Sequence, residues 1–371
     1  MTPVRTPLRT GMIGCGAIAE QHLRAVTSFG DVEVVGVCDL SPVTATWTAE
    51  RFGTTAFTDH RELLARGLDV VHVLTPPSSH DALARDAVDA GAHVVVEKPI
   101  TADADATRAL LAYGTSAERL VVEHQNYRFN DGILDLSDLV RSGRLGTIAE
   151  IEVRIALDVT GDDRFANPSL PSPVRHLRGG VIRDYLPHEC GLALALADAA
   201  GAAVDTPSRP INVRHAAWSL RSGIEPLGCD ELHSVADVDG IAVQIRFSAA
   251  TRPDGFRVLV RGSSGTAEVD LFQPFRQVEV ARGPNVLSPL LNLIANGAGH
   301  VRNAGVGLGK KVLQHGSYHG VPRFLRAFYD SVATGSTPPI SIEQIVATAR
   351  FVDLLAASAP AADSKPSVVT S

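Results

Sequence analysis

The residues best placed to do chemistry are Glu97-Lys98-Pro99, which end an apolar run, AHVVVEKP, over 92–99. A lysine just beyond the carboxyl end of a buried strand can hydrogen-bond the oxygen of a carbonyl or alcohol. There it stabilises developing negative charge. Burial can lower its pKa and let it relay protons. Pro99 has no N–H and a fixed φ, so the strand stops and the turn is stiff. The alternative is a solvated surface lysine, the ordinary default. Lysine occurs only at 98, 310, 311 and 365, and nearly every other cation is arginine. A chain this sparing of lysine weakens that default at a strand end.

A second group lies in Gly179-Gly180-Val181-Ile182-Arg183-Asp184-Tyr185-Leu186-Pro187-His188. Asp184 and His188 are four apart and share a face if the segment is helical. Pro187 suits only a first turn, so the helix is expected to start near Tyr185 or Leu186. His188 would then lie near a helix N-terminus, where a neutral imidazole is favoured. Such an imidazole can take a hydroxyl proton while a hydride leaves the carbon, with Asp184 orienting the ring or binding a substrate hydroxyl. Asp184 as an N-cap and His188 as a packed histidine is an equal alternative. No metal site is expected: Gly316 and Ser317 separate His315 from His319, and His188-Glu189-Cys190 has no spaced partner pair. No G-x-S-x-G elbow is present, which argues against acyl transfer through serine.

The elements that must carry these residues follow from periodicity. Valine-rich runs without polar alternation at 9–14, 32–39, 69–76, 92–99 and 119–125 predict strands buried on both faces of a parallel sheet. Helical spacing between them, at 17–29, 42–52, 78–91 and 103–115, predicts right-handed crossovers and a doubly wound sheet. Gly14-Cys15-Gly16-Ala17-Ile18-Ala19 is a G-x-G-x-x-A fingerprint between the first strand and first helix. Gly14 makes the turn. Gly16 lets a pyrophosphate approach the backbone, with Ala17 and Ile18 opening the helix whose N-terminus attracts it. Asp39, at the end of the second strand, suits the adenosine ribose hydroxyls and repels a 2′-phosphate. NAD is therefore the expected cofactor and NADP the less favoured one. The ribose role is favoured over simple capping of helix 42–52 by Asp39.

The pattern changes near residue 127. A helix is predicted at 131–142, an alternating strand at 147–157, a polar loop at 158–180 and an apolar helix at 187–199. Alternating strands follow at 210–221, 232–238, 241–248, 256–262, 265–271 and 276–282. The fold class is α/β: an N-terminal Rossmann doubly wound parallel sheet, then an α+β domain with an open, mainly antiparallel sheet. Boundaries are expected at 1–126, 127–358 and a disordered tail at 359–371. Residues 283–318, rich in Gly and Asn, are left unassigned, and helices close the domain at 320–334 and 341–357. The polar residues Asp162, Asp163, Arg164, Asn167, Arg175 and His176 are candidates for substrate specificity.

The 371 residues carry a net charge of 34 − 41 = −7. That balance disfavours nucleic acid or an anionic membrane as partner, since phosphate recognition needs concentrated basic surface. The four scattered cysteines read as reduced thiols, and no signal peptide or membrane span is evident, so a cytoplasmic location is expected.

The order of these motifs resembles the glucose–fructose oxidoreductase / inositol dehydrogenase / rhizopine catabolism (Gfo/Idh/MocA) family. The carriers are G-x-G-x-x-A, the aspartate after the second strand, TPPSSH (75–80), AGAHVVVEKPI (90–100), DxxxH and the closing segment 317–355. The resemblance implies Lys98 as the lysine of its EKP motif and Asp184 and His188 as its aspartate and acid/base histidine. It implies that Thr75, Pro76, His80, Glu97 and Asn126 lie at the cofactor. Arg128, beside Asn126, is a candidate substrate contact with Lys98, Asp184 and His188. The implied substrates are sugars, nucleotide sugars or cyclitols, oxidised or reduced at one secondary alcohol. The implied partner is a second copy of the chain, as a homodimer or homotetramer through the second domain's sheet. Two alternatives differ in outcome: an NAD-using glycosidase or lyase working by transient oxidation, and an NAD-binding sensor without catalysis.

Overall fold

The apolar runs of the first third become the predicted strands. A computed structural model describes residues 7–169, 178–273, 275–281, 287–313 and 320–360. The first elements are β1 (Leu8–Ile13), α1 (Ala17–Thr27), β2 (Val32–Cys38), α2 (Pro42–Phe52), β3 (Thr55–Phe57) and α3 (His60–Leu64). Next come β4 (Val70–Val73), α4 (His80–Asp89), β5 (His93–Val96), α5 (Ala104–Ser116), β6 (Val121–Glu123) and α6 (Asp131–Arg141). Then follow β7 (Ile148–Asp158), α7 (Asp163–Ala166), α8 (Val181–Ala199), β8 (Asn212–Ser219), β9 (Glu231–Val238), β10 (Ile241–Ser248) and β11 (Ala250–Gly262). The chain closes with β12 (Gly265–Asp270), β13 (Phe275–Val280), α9 (Ser288–Leu313), α10 (Gly320–Thr334) and α11 (Ile342–Ala356). The short β3 and α3 are unforeseen, being too brief to show a period.

The first sheet has the order β3-β2-β1-β4-β5-β6 with every pair parallel. This is the dinucleotide-binding order, and its direction of winding reverses between β1 and β4. The second sheet runs β13-β12-β11-β7-β10-β9-β8, with only β7 and β10 parallel. On its strands one face is buried, for example Ile151, Val153, Ile155, Val243, Ile245 and Phe247. α8 packs on β7, β9 and β10.

The division of the chain differs from a cut at residue 126. One compact unit holds Met1–Phe129 and Tyr318–Ala349, the other Asn130–Ser317 and Arg350–Ser371. The cause is α10. Its Val321, Phe324, Leu325, Phe328 and Tyr329 are buried in the same core as β1, β4 and α1. An apolar stripe in sequence shows that a helix is covered, without showing by what. Of the tail expected at 359–371, residues 361–371 lie outside the described residues. Ala359 is packed, 2% exposed, with its carbonyl accepting from Arg178 Nε at 2.9 Å.

Two local expectations change. α8 begins at Val181, not near 185, and carries Pro187 in its interior. An interior proline costs about 3 kcal/mol. Val181, Ile182 and Leu186 are all fully buried, and at roughly 1.5–3 kcal/mol each they outweigh that cost. Arg183 ties the same turn to α11 through Val352 O and Asp353 Oδ1, both at 2.9 Å. The unassigned stretch is largely α9. Its Asn296 amide accepts from Val278 N and donates to Val278 O, both at 3.1 Å, and Asn292 donates to Val280 O at 2.9 Å. The asparagines that lower helix propensity here serve to close the edge strand β13.

The turn into α8 admits only glycine. Gly180 has φ +58°, and a Cβ there would lie 1.9 Å from Leu227 O. Gly180→Ala is therefore expected to lower stability by at least ~2 kcal/mol, read as the urea midpoint. An unchanged midpoint contradicts this packing.

Candidate active site

At the switch between β1 and β4, Gly14 has φ +98° and its N–H donates to Cys38 O at 2.8 Å. A Cβ on Gly14 would strike Leu74 C and O at 2.7 Å, so glycine lets the two strand-end loops touch. Gly16 is different: it is exposed, and a Cβ there would meet nothing within 4 Å. Protein packing does not require glycine at this position, whereas a ligand approaching the backbone does. Gly16 is also the N-cap of α1 and makes no side-chain cap bond. Having no side chain, Gly16 leaves the first-turn N–H groups of Ala17 and Ile18 without a side-chain cap, as an anion site needs. Ala19 is buried, 1% exposed, against the sheet.

Asp39 is half-buried and braces this loop. Its Oδ2 accepts from Cys15 N and its Oδ1 from Ser41 N, both at 2.9 Å. Capping of α2 falls to Ser41, whose hydroxyl accepts from Thr44 N. Each Asp39 oxygen keeps a second lone pair for a hydroxyl donor. The described residues therefore fit a dinucleotide with an unphosphorylated ribose.

The next two loops carry the remaining first-unit candidates. His80 is fully buried, with Nδ1 2.9 Å from Pro99 O and Nε2 2.6 Å from Thr75 O. It clamps the Thr75-Pro76 loop to the turn after Lys98, and both ring nitrogens are engaged in that. Lys98 is half-buried directly after β5, and the Lys98–Pro99 peptide is cis. Asn126 is buried and opens a short 3-10 turn. Arg128, in that turn, donates to Gln125 Oε1 at 3.1 Å and Gln344 Oε1 at 2.9 Å.

Glu97 has surroundings that sequence spacing does not show. Its Oε1 is 2.5 Å from His124 Nδ1 and 3.4 Å from His22 Nε2, while Oε2 accepts from Lys98 N at 3.3 Å. Burial opposes its charge, but the His124 contact prevails and holds the carboxyl well below its usual range. Burial pushes His22 down to about 4, and drives His72 lower as well. Among the described residues, His22 Nε2, His124 Nδ1 and Glu97 Oε1 form the grouping that could take a metal ion. Positions 22, 97 and 124 have no ligand-like spacing, so only the fold brings them together.

Asp184 and His188 belong to the second unit. They lie one turn apart on α8, both half-buried, with the Tyr185 ring 5.2 Å from Phe247. Asp184 is in the first turn, but His188 is the eighth residue of the helix. The macrodipole fades within a turn, so the expected N-terminal effect on His188 does not hold. In the polar loop, Asp162 caps α7 and pairs with Arg164, while Arg175 and His176 lie outside the described residues, as do His315 and His319.

This site and fold define an oxidoreductase built on a dinucleotide-binding domain. Residues 8–124 match the family model described as an oxidoreductase family with an NAD-binding Rossmann fold, GFO_IDH_MocA. The chain is 26% identical over 298 residues to inositol 2-dehydrogenase of Rhizobium meliloti (strain 1021), covering 77% of this chain and 82% of that protein. It is 34% identical over 189 residues to dTDP-3,4-didehydro-2,6-dideoxy-alpha-D-glucose 3-reductase of Saccharopolyspora spinosa, covering 49% and 53%. The fold is similar to that of the WlbA dehydrogenase from Bordetella pertussis, solved with NADH and UDP-GlcNAcA, at TM-score 0.74, 19% identity and 96% coverage of both chains. Residues 8–124 thus match the NAD-binding Rossmann domain of the Gfo/Idh/MocA oxidoreductases, and the similar curated proteins are named as a dehydrogenase and a reductase. Among the described residues, no helix is long and apolar enough to cross a membrane.

Next to His188, Glu189 is fully buried, and neither carboxyl oxygen has a hydrogen-bond partner among the described residues. Burial pushes its pKa well up. The folded state then binds this proton more tightly than the unfolded chain. Its contribution is full below the unfolded value of about 4.3 and is lost as pH rises through the folded pKa. Glu189→Gln is expected to match the parent near pH 4 and exceed its stability by roughly 1–2 kcal/mol at pH 8, by urea unfolding. A less stable variant at pH 8 contradicts the assignment.

Proposed function

We propose that this protein is an NAD-dependent dehydrogenase or ketoreductase acting on one secondary alcohol or ketone of a cyclitol, sugar or nucleotide sugar. The observation that carries this reading is Lys98 after β5 at the same carboxyl edge of the sheet where β1 and β2 end at the Gly14–Gly16 loop and Asp39. Ligands of doubly wound sheets bind at that edge.

In this reading Gly14, Gly16, Ala17 and Ile18 receive the pyrophosphate and Asp39 the adenosine ribose. Thr75, Pro76, Glu97 and Asn126 border the nicotinamide half, with His80 holding the Thr75 loop in place. Bound nicotinamide supplies the hydride acceptor or donor. Lys98 donates a hydrogen bond to the reacting oxygen and stabilises charge gathering there. His188 takes the hydroxyl proton on oxidation and returns it on reduction, and Asp184 orients the imidazole. Arg128 adds a donor for a substrate hydroxyl. The inositol 2-dehydrogenase relative supports a cyclitol. The dTDP-sugar reductase and the UDP-GlcNAcA complex support a nucleotide sugar.

The exposed face of the second sheet is charged, with Arg246 3.5 Å from Glu152 and Arg257 3.3 Å from Glu268. We assign it to self-association as a homodimer or homotetramer in the cytoplasm. Light scattering that finds only monomer contradicts this.

Lys98→Ala is expected to lower kcat by about a thousandfold while NAD Kd stays within about threefold. Full activity in the variant refutes the scheme. Because Asp39 repels a 2′-phosphate, NADH is expected to bind at least about tenfold tighter than NADPH. The reverse order by fluorescence titration removes Asp39 from the ribose.

A further inference from the structure

Beneath the strand ends of the first unit runs an unbroken chain of buried polar side chains. His124 Nδ1 lies 3.2 Å from His22 Nε2, and His22 Nδ1 lies 2.8 Å from His72 Nδ1. His72 Nε2 is 2.9 Å from the Tyr329 hydroxyl, which donates to Thr10 Oγ1 at 2.8 Å. Thr10 Oγ1 donates in turn to Val70 O at 3.1 Å. Thr10, His22, His72 and Tyr329 are all 0% exposed and His124 is 1% exposed, so no solvent can repair a mismatched pair.

The far end dictates every proton. Val70 O can only accept, so Thr10 donates to it and receives from Tyr329. Tyr329 must then receive from Nε2–H of His72. A neutral His72 keeps a lone pair on Nδ1, which receives from Nδ1–H of His22. His22 keeps its lone pair on Nε2, which faces Nδ1–H of His124. That same N–H points at Glu97 Oε1, and Glu97 Oε2 holds the backbone N–H of Lys98. Burial keeps His22 and His72 neutral at pH 7, as this order requires.

We propose that Tyr329, His72, His22 and His124 are positioning residues, a one-directional hydrogen-bond relay that fixes the Glu97 carboxylate and through it the backbone at Lys98. The proposal rests on the reading of Lys98 as catalytic. It gives a function to α10, whose tyrosine enters the first unit from more than 200 positions downstream, |i−j| = 257 from His72. Outer-shell hydrogen bonds of this kind typically change activity by about ten- to a hundredfold.

The test uses the full-length protein. His124 Nε2 has no hydrogen-bond partner among the described residues, so only Nδ1–H is needed. Asparagine can replace that donor with its Nδ2–H. His124→Ala is expected to lower kcat by about ten- to a hundredfold with KM for NAD within about twofold, and His124→Asn to recover to within about threefold of the parent. Histidine 15N NMR of the parent is expected to show Nε2–H on His72 and Nδ1–H on His22 and His124. In Tyr329→Phe the His72 signature is expected to change. An Asn variant as impaired as the Ala variant, other tautomers in the parent, or one equivalent of tightly bound zinc on these donors overturns the relay. The NMR does not depend on turnover. A parent inactive on every polyol but with these tautomers overturns the functional reading alone.

Discussion

A parallel sheet has two apolar faces, and both must be covered. In the first unit that requirement draws in α10 from near the end of the chain, where Phe324, Leu325, Phe328 and Tyr329 enter the core of β1, β4 and α1. Each such side chain contributes roughly 1.5–3 kcal/mol by burial. The helix therefore stays with the first unit although more than 180 residues of the other unit intervene. Its tyrosine hydroxyl needs a partner in that core. Thr10 and His72 supply it, and the polar line to Glu97 follows.

Burial decides the chemistry of several groups at once. Glu97 stays ionised in the interior because His124 offsets the desolvation, whereas Glu189, with no hydrogen-bond partner among the described residues, is driven towards its neutral form. Two buried carboxyls thus acquire opposite charge preferences from their neighbours. At the cofactor loop the forces are different. Gly14 answers a steric demand from Leu74, while the open space at Gly16 answers none from the protein. That contrast separates a glycine that packing requires from one where packing leaves room for a side chain.

Much of this was legible in the sequence where the code is local. The valine runs, the helix periods, the fingerprint and Asp39 each occupy one short window, and each is found where expected. Pro187 misled because a proline penalty is local, while the burial of Val181 and Ile182 that overrides it is tertiary. α9 was hidden by its asparagines and glycines, whose use is to complete a strand edge far from them in sequence. The spacing of His22, His72, His124 and Tyr329 carries no signal, because only tertiary packing brings them together. Asp184 and His188 were singled out by spacing and family pattern, and on α8 they lie one turn apart.

The central claim is that this chain performs a net oxidation or reduction of a ring alcohol. The direct measurement is incubation with NAD and a panel of cyclitols, free sugars and nucleotide sugars, following reduced-nicotinamide absorbance and product together. The account predicts one substrate class giving reduced cofactor and ketone in equal amounts. Product formed without net reduced cofactor, as in cleavage by transient oxidation, would contradict it.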